Sequence, residues 1–262
     1  MLPVADPPSG AVDYETAASH TLTVIVSDAG TPTLSTTVVV NVIVQNVNDG
    51  PPAFSGTFDV SKAENVAIGI SVADVSAMDP DGAVSVLGNP QHSIISGDPS
   101  GRFNIDSSTG RVTTRAVLDA ESTAKYTMVI KAVEQGGTGS ATVTLTVTVT
   151  DVNDVTPSCN VNTFAQTVPE SSAVGYVVLT LTCTDGDVTA TVLTYSISSG
   201  DTTKFSMNGN ALELAAALDY ESGTTQYPLT VSVSDGTNTL DIVGSVTVGP
   251  VNESPPVFSL SE

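Results

Sequence analysis

The chain has 262 residues, which is long for one small domain and sufficient for two or three. Its net charge of −21 comes from 28 Asp and Glu residues against 7 Lys and Arg residues, and this balance excludes nucleic-acid binding, which needs clustered cations. The absence of Trp and the richness in Val, Thr, Ser and Gly favour strands and turns over helices.

Residues 1–49 open with an acidic motif at Val12–Glu15, which reads Val-Asp-Tyr-Glu. The alternating run Leu22–Val26 predicts a strand, and a turn signal follows at Gly30–Pro32. The segment ends in a second acidic motif at Asn46–Asp49.

Residues 50–154 contain the same motifs and two more, in a fixed order. They are Glu64, Asp79–Asp81, Leu118–Glu121 and Asp151–Asp154. The run Thr142–Thr150 alternates Thr with Val or Leu, so we expect its apolar members to face a core and its threonines to face water. These apolar members are Val143, Leu145, Val147 and Val149.

Residues 155–253 show the series again. The matching positions are Glu170, Asp185–Asp187, Leu218–Glu221 and Pro250–Glu253. The period is about 100 to 106 residues, which indicates tandem domains. We predict the C-terminal part of one repeat at 1–49, complete repeats at 50–154 and 155–253, and the start of another at 254–262, where Pro255–Phe258 matches Pro51–Phe54.

The strand and turn signals in each complete repeat predict about seven short strands. The expected fold is therefore all-β, with tandem seven-stranded Greek-key β-sandwiches of immunoglobulin-like architecture.

Strand direction predicts that acids from consecutive repeats meet at one junction. The seven carboxylates involved are Glu64, Asp119, Glu121, Asp154, Asp185, Asp187 and Asp235. So many carboxylates repel one another without a counter-ion, and Ca²⁺ accepts six to eight oxygen ligands. Mg²⁺ fits less well because it keeps its waters, and zinc is disfavoured because His20 and His92 are the only histidines.

The motifs Asp119–Glu121, Asp151–Asp154 and Asp185–Asp187, with the glutamates at 64 and 170, resemble those of the cadherin family. The resemblance covers essentially the whole chain. It implies Ca²⁺ ions at the junctions between repeats, held by acids of both repeats and by the linker.

Residue by residue, the resemblance implies three ligand sets. The central set is Glu64, Asp119, Glu121, Asp151, Val152, Asn153, Asp154, Val155, Asp185, Asp187 and Asp235, with Val152 and Val155 acting through their carbonyls. The preceding set is Asp13, Glu15, Asn48, Asp49, Asp79, Asp81 and Glu134. The following set is Glu170, Asp219, Glu221, Asn252 and Glu253.

Three positions depart from the family pattern. Glu134 and Glu253 stand where the family has Asp, and Asn46 replaces the first linker Asp. We therefore expect weaker binding in the preceding set and an incomplete following set.

The resemblance implies an extracellular, cell-surface protein in which Ca²⁺ stiffens a rod of repeats for cell adhesion. Its expected partners are other cadherin-type ectodomains, homophilic or heterophilic, with membrane attachment only through segments outside this chain. No small-molecule substrate or enzymatic activity is expected, since nucleophile-elbow and P-loop motifs are missing. The alternative is a bacterial cadherin-like adhesin or a carbohydrate-binding calcium module.

Cys159 and Cys183 are predicted near the same pole of one sandwich. An intradomain disulfide fits an extracellular setting, and two separate thiols remain the alternative.

Overall fold

A computed structural model describes residues 12–81, 89–135, 139–189 and 192–253. The predicted further repeat at 254–262, and residues 1–11 of the first, lie outside these ranges. The chain forms two compact units, Met1–Leu118 with Thr123–Thr150 and Asp119–Ser122 with Asp151–Glu262. The regular elements in the described ranges are β-strands, which confirms the all-β class. These ranges contain no helix of membrane-crossing length and hydrophobicity.

The first unit begins with an antiparallel hairpin of β1 (Ser19–Ser27) and β2 (Ser35–Ile43). The hairpin contains the predicted strand Leu22–Val26. Its turn is held by Asp28, whose Oδ1 accepts the backbone N–H groups of Gly30 (3.1 Å) and Leu34 (2.9 Å). The carboxylate oxygen thus takes the place of backbone carbonyl acceptors where the chain reverses direction.

The rest of the first unit is a sandwich of short strands. They are β3 (Ala53–Phe54), β4 (Phe58–Ala63), β5 (Ser71–Asp74), β6 (Ala77–Met78), β7 (Gln91–Ser96), β8 (Phe103–Ile105), β9 (Arg111–Thr114), β10 (Lys125–Val133) and β11 (Ser140–Thr150). These nine pieces make up the predicted seven strands, because the first two strands of the repeat are each divided into two pieces, β3 with β4 and β5 with β6. The interruptions let the chain change pairing partners.

Two larger sheets enclose the core of this sandwich. One has the order β4-β11-β10-β7 and the other β5-β9-β8, while β3 and β6 form a separate two-stranded sheet. Along β11 the predicted alternation holds, since Leu145, Val147 and Val149 are buried and Thr148 is exposed. Removing apolar side chains such as these from water is the main driving force for the fold.

The second unit repeats the arrangement. Its strands are β12 (Ser158–Cys159), β13 (Thr163–Pro169), β14 (Val177–Thr180), β15 (Cys183–Thr184), β16 (Thr194–Ser199), β17 (Phe205–Asn208), β18 (Ala211–Leu214), β19 (Gln226–Ser234) and β20 (Thr239–Gly249). Sheets β13-β20-β19-β16 and β14-β18-β17 form the sandwich, and β12 pairs with β15. Cys159 and Cys183 are joined by a disulfide, which confirms the bonded alternative.

Each sandwich contains an edge-to-face aromatic pair at the same place. Phe103 contacts Tyr126 with ring centroids 5.0 Å apart, and Phe205 contacts Tyr227 at 5.4 Å. These pairs join strands of opposite sheets, β8 with β10 and β17 with β19, so they contribute packing across each core.

Asp106 closes the turn between β8 and β9, and this turn gives a pH prediction. The hydroxyl of Ser108 and the N–H of Thr109 donate to its carboxylate, which lowers the pKa of Asp106 to about 2. A carboxyl with a depressed native pKa stabilises the fold above its ordinary pKa of 3.8, and the contribution is lost as pH falls through about 2.

We therefore expect Asp106→Asn to lower the melting temperature at neutral pH, with the deficit shrinking as pH falls from 4 to about 2. Thermal unfolding in a Ca²⁺-free buffer measures this difference. Asp59→Asn on β4, an exposed position, is the matched control. A deficit that stays constant with pH would contradict the prediction.

Candidate metal centres

In the second unit, strand β15 leads directly into the predicted Asp-x-Asp motif. The N–H of Asp187 donates to Asp185 Oδ1 (3.0 Å), which folds the loop into a tight turn. Asp187 Oδ1 accepts the N–H groups of Asp154 (3.2 Å) and Val155 (3.1 Å). These bonds attach the loop to the predicted linker segment.

Three carboxylates meet at this loop. Asp185, Asp187 and Asp235 each present an oxygen, and these oxygens lie within 4.8 Å of one another. Asp185 Oδ2 and Asp187 Oδ2 are buried, and neither has a hydrogen-bond partner in the described part of the chain. Buried oxygens almost always have a partner, so these two require a water or an ion.

The pKa values in this cluster reflect its charge. For Asp185, the N–H of Asp187 lowers the pKa, but burial and repulsion from Asp187 and Asp235 raise it above its usual value. For Asp235, burial favours a higher pKa, but the N–H groups of Asn238 and Thr237 hold it below its usual value. Hydrogen bonds therefore stabilise the anionic form of Asp235, whereas the anionic form of Asp185 would be stabilised by a nearby positive charge.

Asp151 and Glu121 accept hydrogen bonds from the backbone of the segment that follows the Asp-x-Asp loop. Asp151 accepts the N–H groups of Thr189 (2.7 Å) and Val188 (3.3 Å), and Glu121 Oε1 also accepts the N–H of Val188 (3.3 Å). The hydrogen bond from Thr189 is the main reason that the pKa of Asp151 is lowered. Asp119 instead caps its own turn by accepting the N–H of Ser122 (2.8 Å).

The sequence interpretation missed Asn238. Its Nδ2 donates to Asn153 Oδ1 (3.0 Å), to Asp235 Oδ2 (3.2 Å) and to the carbonyl of Val155 (3.3 Å). Asn238 therefore connects three predicted ligands. The available signal was its place three residues after Asp235, in the turn between β19 and β20.

The first unit contains a cluster with the same local design. The N–H of Asp81 donates to Asp79 Oδ1 (3.0 Å), and Asp81 Oδ2 accepts the N–H of Gly50 (2.9 Å). The other oxygen, Asp81 Oδ1, is buried, and no donor to it exists among the described residues. Oxygens of Glu15, Asp49 and Asp81 lie within 4.8 Å of one another.

Two linker asparagines face this cluster. Asn46 Nδ2 donates to the carbonyl of Asp81 (2.7 Å). Asn46 Oδ1 and Asn48 Oδ1 are buried, again without a hydrogen-bond partner in the ranges that the structure describes. Asn46 therefore offers a further candidate ligand oxygen for a cation. The sequence interpretation had treated it only as a departure from the family pattern.

This cluster also contains carboxyl groups whose pKa is raised, as that of Asp185 is in the second unit. Burial, and repulsion from Asp81 and Glu134, raise the pKa of Asp79 despite the N–H that Asp81 donates. For Glu15, its own N–H lowers the pKa, but desolvation and repulsion from Asp13 and Asp81 raise it. Glu134 is thus close enough to Asp79 to repel it.

The remaining residues of the preceding set have polar partners. Asp13 accepts the N–H of Glu15 (3.0 Å) and the hydroxyl of Thr16 (2.7 Å). Glu134 is buried and accepts the N–H of Gly139 (3.2 Å). Glu64, predicted for the central set, is also buried in the first unit, directly after β4, where its N–H donates to Thr150 (3.1 Å).

The following set differs from the other two. Oxygens of Glu170, Glu221 and Glu253 lie within 4.8 Å of one another. Both oxygens of Glu170 are engaged, however, by the N–H groups of Tyr220 (2.7 Å) and Val251 (2.6 Å), and these bonds lower its pKa. Asp219 accepts the N–H of Ser222 (3.0 Å), and Asn252 is exposed. The unpartnered oxygens found in the described parts of the other two clusters have no counterpart here.

The donor chemistry of the first two clusters fits Ca²⁺. All the unpartnered atoms are carboxylate or amide oxygens, which are the ligands that this hard cation takes. They come from Asn46, Asn48, Asp81, Asp185 and Asp187.

A comparison with known families decides the relationship. The profile of the cadherin domain matches residues 58–150 and again 164–249. The chain belongs to the cadherin family. It is 34% identical over 257 residues to human Protocadherin-16, which covers 94% of this chain and 8% of that protein. It is also 34% identical over 271 residues to the Drosophila melanogaster Protocadherin-like wing polarity protein stan, covering 97% of this chain and 8% of that protein.

Solved cadherin structures share the fold. Mouse Cadherin-23 EC22-24 has a TM-score of 0.72 at 26% identity, with 92% of this chain and 78% of that chain covered. Protocadherin Gamma B2 extracellular cadherin domains 1-5 has a TM-score of 0.75 at 26% identity, with 95% and 48% covered. These matches confirm the predicted cadherin-type sandwiches. This cadherin chain spans less than a tenth of the length of the curated relatives named above.

Proposed function

We propose that this cadherin chain is part of an extracellular rod that binds Ca²⁺ between consecutive repeats and takes part in calcium-dependent cell adhesion. The proposed repeats are 1–49, 50–154, 155–253 and the start of another at 254–262. The observation that carries the proposal is the set of buried, unpartnered oxygens, confined in the described ranges to the two clusters around the Asp-x-Asp motifs.

The second unit's centre is proposed to use Asp185, Asp187 and Asp235, with Asp151 and Glu121 close by. Bound Ca²⁺ would supply positive charge and coordination positions for these oxygens. The protein's own contribution is to fix the loop, through the N–H groups of Asp154 and Val155, so that one oxygen of Asp187 stays available. Glu64, Asp119, Val152, Asn153, Asp154 and Val155 remain proposed ligands from the sequence register.

The first unit's centre is proposed to use Glu15, Asp49, Asp79 and Asp81, with Glu134. Asn46 and Asn48 add amide oxygens. Asp13 completes the set from the sequence register. The set Glu170, Asp219, Glu221, Asn252 and Glu253 is proposed as the weakest centre, because the oxygens of Glu170 already accept backbone N–H groups.

The proposed adhesive role is supported by family membership. The proposed partners are other cadherin-type ectodomains, identical or different, and the proposed location is the cell surface. We propose binding rather than catalysis as the activity. The bacterial adhesin and carbohydrate-module alternatives are not favoured, because the relatives named above are animal cadherin-family proteins.

The test is a Ca²⁺ titration of chelated protein, followed by X-ray scattering and thermal unfolding. An ion that binds only the ordered state must stabilise it, so we expect a longer particle and a higher melting temperature at about 10⁻⁴ to 10⁻³ M Ca²⁺. Mg²⁺ at equal concentration is the control, because it keeps its waters and should act more weakly. Unchanged scattering and unfolding would leave the acids as a solvated surface and remove the basis of the proposal.

A further inference from the structure

Both units contain a very short two-stranded sheet next to the Asp-x-Asp loop. In the first unit, β6 ends at Met78, one residue before Asp79. In the second, β15 ends at Thr184, one residue before Asp185. Each strand of these sheets has only two residues, and so short a pairing has little stability by itself. The position of each loop therefore depends on a further connection.

In the second unit this connection is covalent. Cys159 and Cys183 lie opposite each other in the register of β12 and β15, and the disulfide joins them. Cys183 is two residues before Asp185, and Cys159 is four residues after Val155, whose N–H donates to Asp187. The disulfide thus connects the strand that leads into the loop with the strand that follows the loop's backbone donor.

In the first unit the same register positions are occupied by Phe54 and Ala77, which cannot form this bond. His92 joins them instead. Its Nε2 accepts the N–H of Ala77 (2.9 Å), and its ring meets that of Phe54 edge-on with centroids 6.1 Å apart. Its Nδ1 lies 3.1 Å from the carbonyl of Ser107, so the neutral ring donates there and accepts from Ala77.

The surroundings of His92 hold its ring in one fixed position. The side chain is buried, with 4% of its surface exposed, and both ring nitrogens are engaged. The second residue of the corresponding strand in the second unit is Tyr195, where the disulfide supplies the link. The two units thus fasten the same place in the fold by different chemistry.

We infer that the Cys159–Cys183 disulfide and His92 are positioning residues for the Ca²⁺ ligands, each holding the Asp-x-Asp loop of its own unit. This inference rests on the proposed function. Neither group is among the proposed ligands; each fixes the backbone two residues before the first aspartate of its loop. Outer residues of this kind typically change metal affinity by about tenfold or more when removed.

The disulfide is tested in the full chain by the double variant Cys159→Ala/Cys183→Ala, with Ca²⁺ affinity measured by competition with a chelating dye. We expect affinity at the second unit's centre to fall about tenfold. Reduction of the parent should reproduce the loss, and the same reductant should leave the variant unchanged. In an Asp187→Asn background the cysteine substitutions should have a smaller effect, because one of the oxygens that the loop positions can no longer coordinate the ion.

His92 is tested by a matched pair. His92→Phe keeps a ring but removes both polar contacts, and should weaken the first unit's centre about tenfold. His92→Gln keeps one acceptor and one donor on a side chain of similar reach, and should recover most of the affinity. Thermal unfolding in chelator reports stability separately, so a purely structural role would lower the melting temperature with Ca²⁺ affinity unchanged.

The outcomes separate this inference from the proposed function. A parent protein that binds no Ca²⁺ would overturn the proposed function itself. A parent that binds Ca²⁺, with variants of equal affinity, would overturn only the positioning role. A cysteine effect that persists undiminished in the Asp187→Asn background would also overturn it, because the effect would then bypass the loop.

Discussion

Asp187→Asn is expected to lower the Ca²⁺ affinity of the second unit's centre by at least about tenfold, because it removes one negative charge from a cluster of three carboxylates. Asparagine keeps an Oδ1 that can accept the N–H groups of Asp154 and Val155, so the loop should retain its shape. The unpartnered Oδ2 becomes an NH₂ group, which cannot coordinate a cation.

The same substitution should have opposite effects on stability with and without calcium. In Ca²⁺ at 100 times the parent's dissociation constant, one site stabilises the native state by about 2.7 kcal/mol, and a tenfold loss of affinity should remove about half of this. In chelator the variant should melt at the same or a higher temperature than the parent, because repulsion from Asp185 and Asp235 is relieved.

Thermal unfolding in both buffers measures this crossover. Asp59→Asn, which makes the same charge change at an exposed position on β4, should show no Ca²⁺-dependent effect. Lower stability of Asp187→Asn in both buffers, to the same extent, would mean that Asp187 serves the fold and not a cation.

Phe205→Ala is expected to destabilise the second unit by about 3–5 kcal/mol, the usual cost of deleting a buried aromatic ring. Only 1% of the Phe205 surface is exposed, and its ring packs edge-on against Tyr227. The cavity would open between β17 and β19, which belong to opposite sheets.

Denaturant unfolding in chelator measures this loss, and hydrogen exchange of peptides from 155–253 assigns it to the second unit. Val243→Ala on β20 is the matched control, because 57% of that side chain is exposed and its truncation should cost less than about 0.5 kcal/mol. Equal costs for the two substitutions would show that the buried ring adds nothing beyond surface packing.

The repeat was the strongest signal in the sequence. Motifs at a constant period indicated tandem domains, and alternation along Thr142–Thr150 predicted which side chains of β11 are buried. Both signals can be read directly along the chain. Side chains in a strand alternate between faces, and repeated units keep the same ligand spacing. The all-β class and the cadherin family could therefore be predicted without coordinates.

The interruption of single strands could not be predicted, since the alternation of side chains does not show where a strand changes partners. The first strand of each repeat is divided into a two-residue piece, β3 or β12, and a longer piece, β4 or β13. That division depends on pairing with residues more than twenty positions away, such as Ala77 and Cys183. The disulfide was left open for the same reason, because only the pairing of β12 with β15 brings the two cysteines together.

The sequence by itself determined which residues of this chain are candidate ligands, because the order and spacing of acidic side chains are written in the repeat. Only the tertiary structure decided which oxygens have no hydrogen-bond partner. Asp81, Asp185 and Asp187 each keep a buried oxygen without a partner in the described residues, whereas both oxygens of Glu170 accept N–H groups. That difference arises from donors supplied by separate loops, and no local pattern encodes where those donors lie.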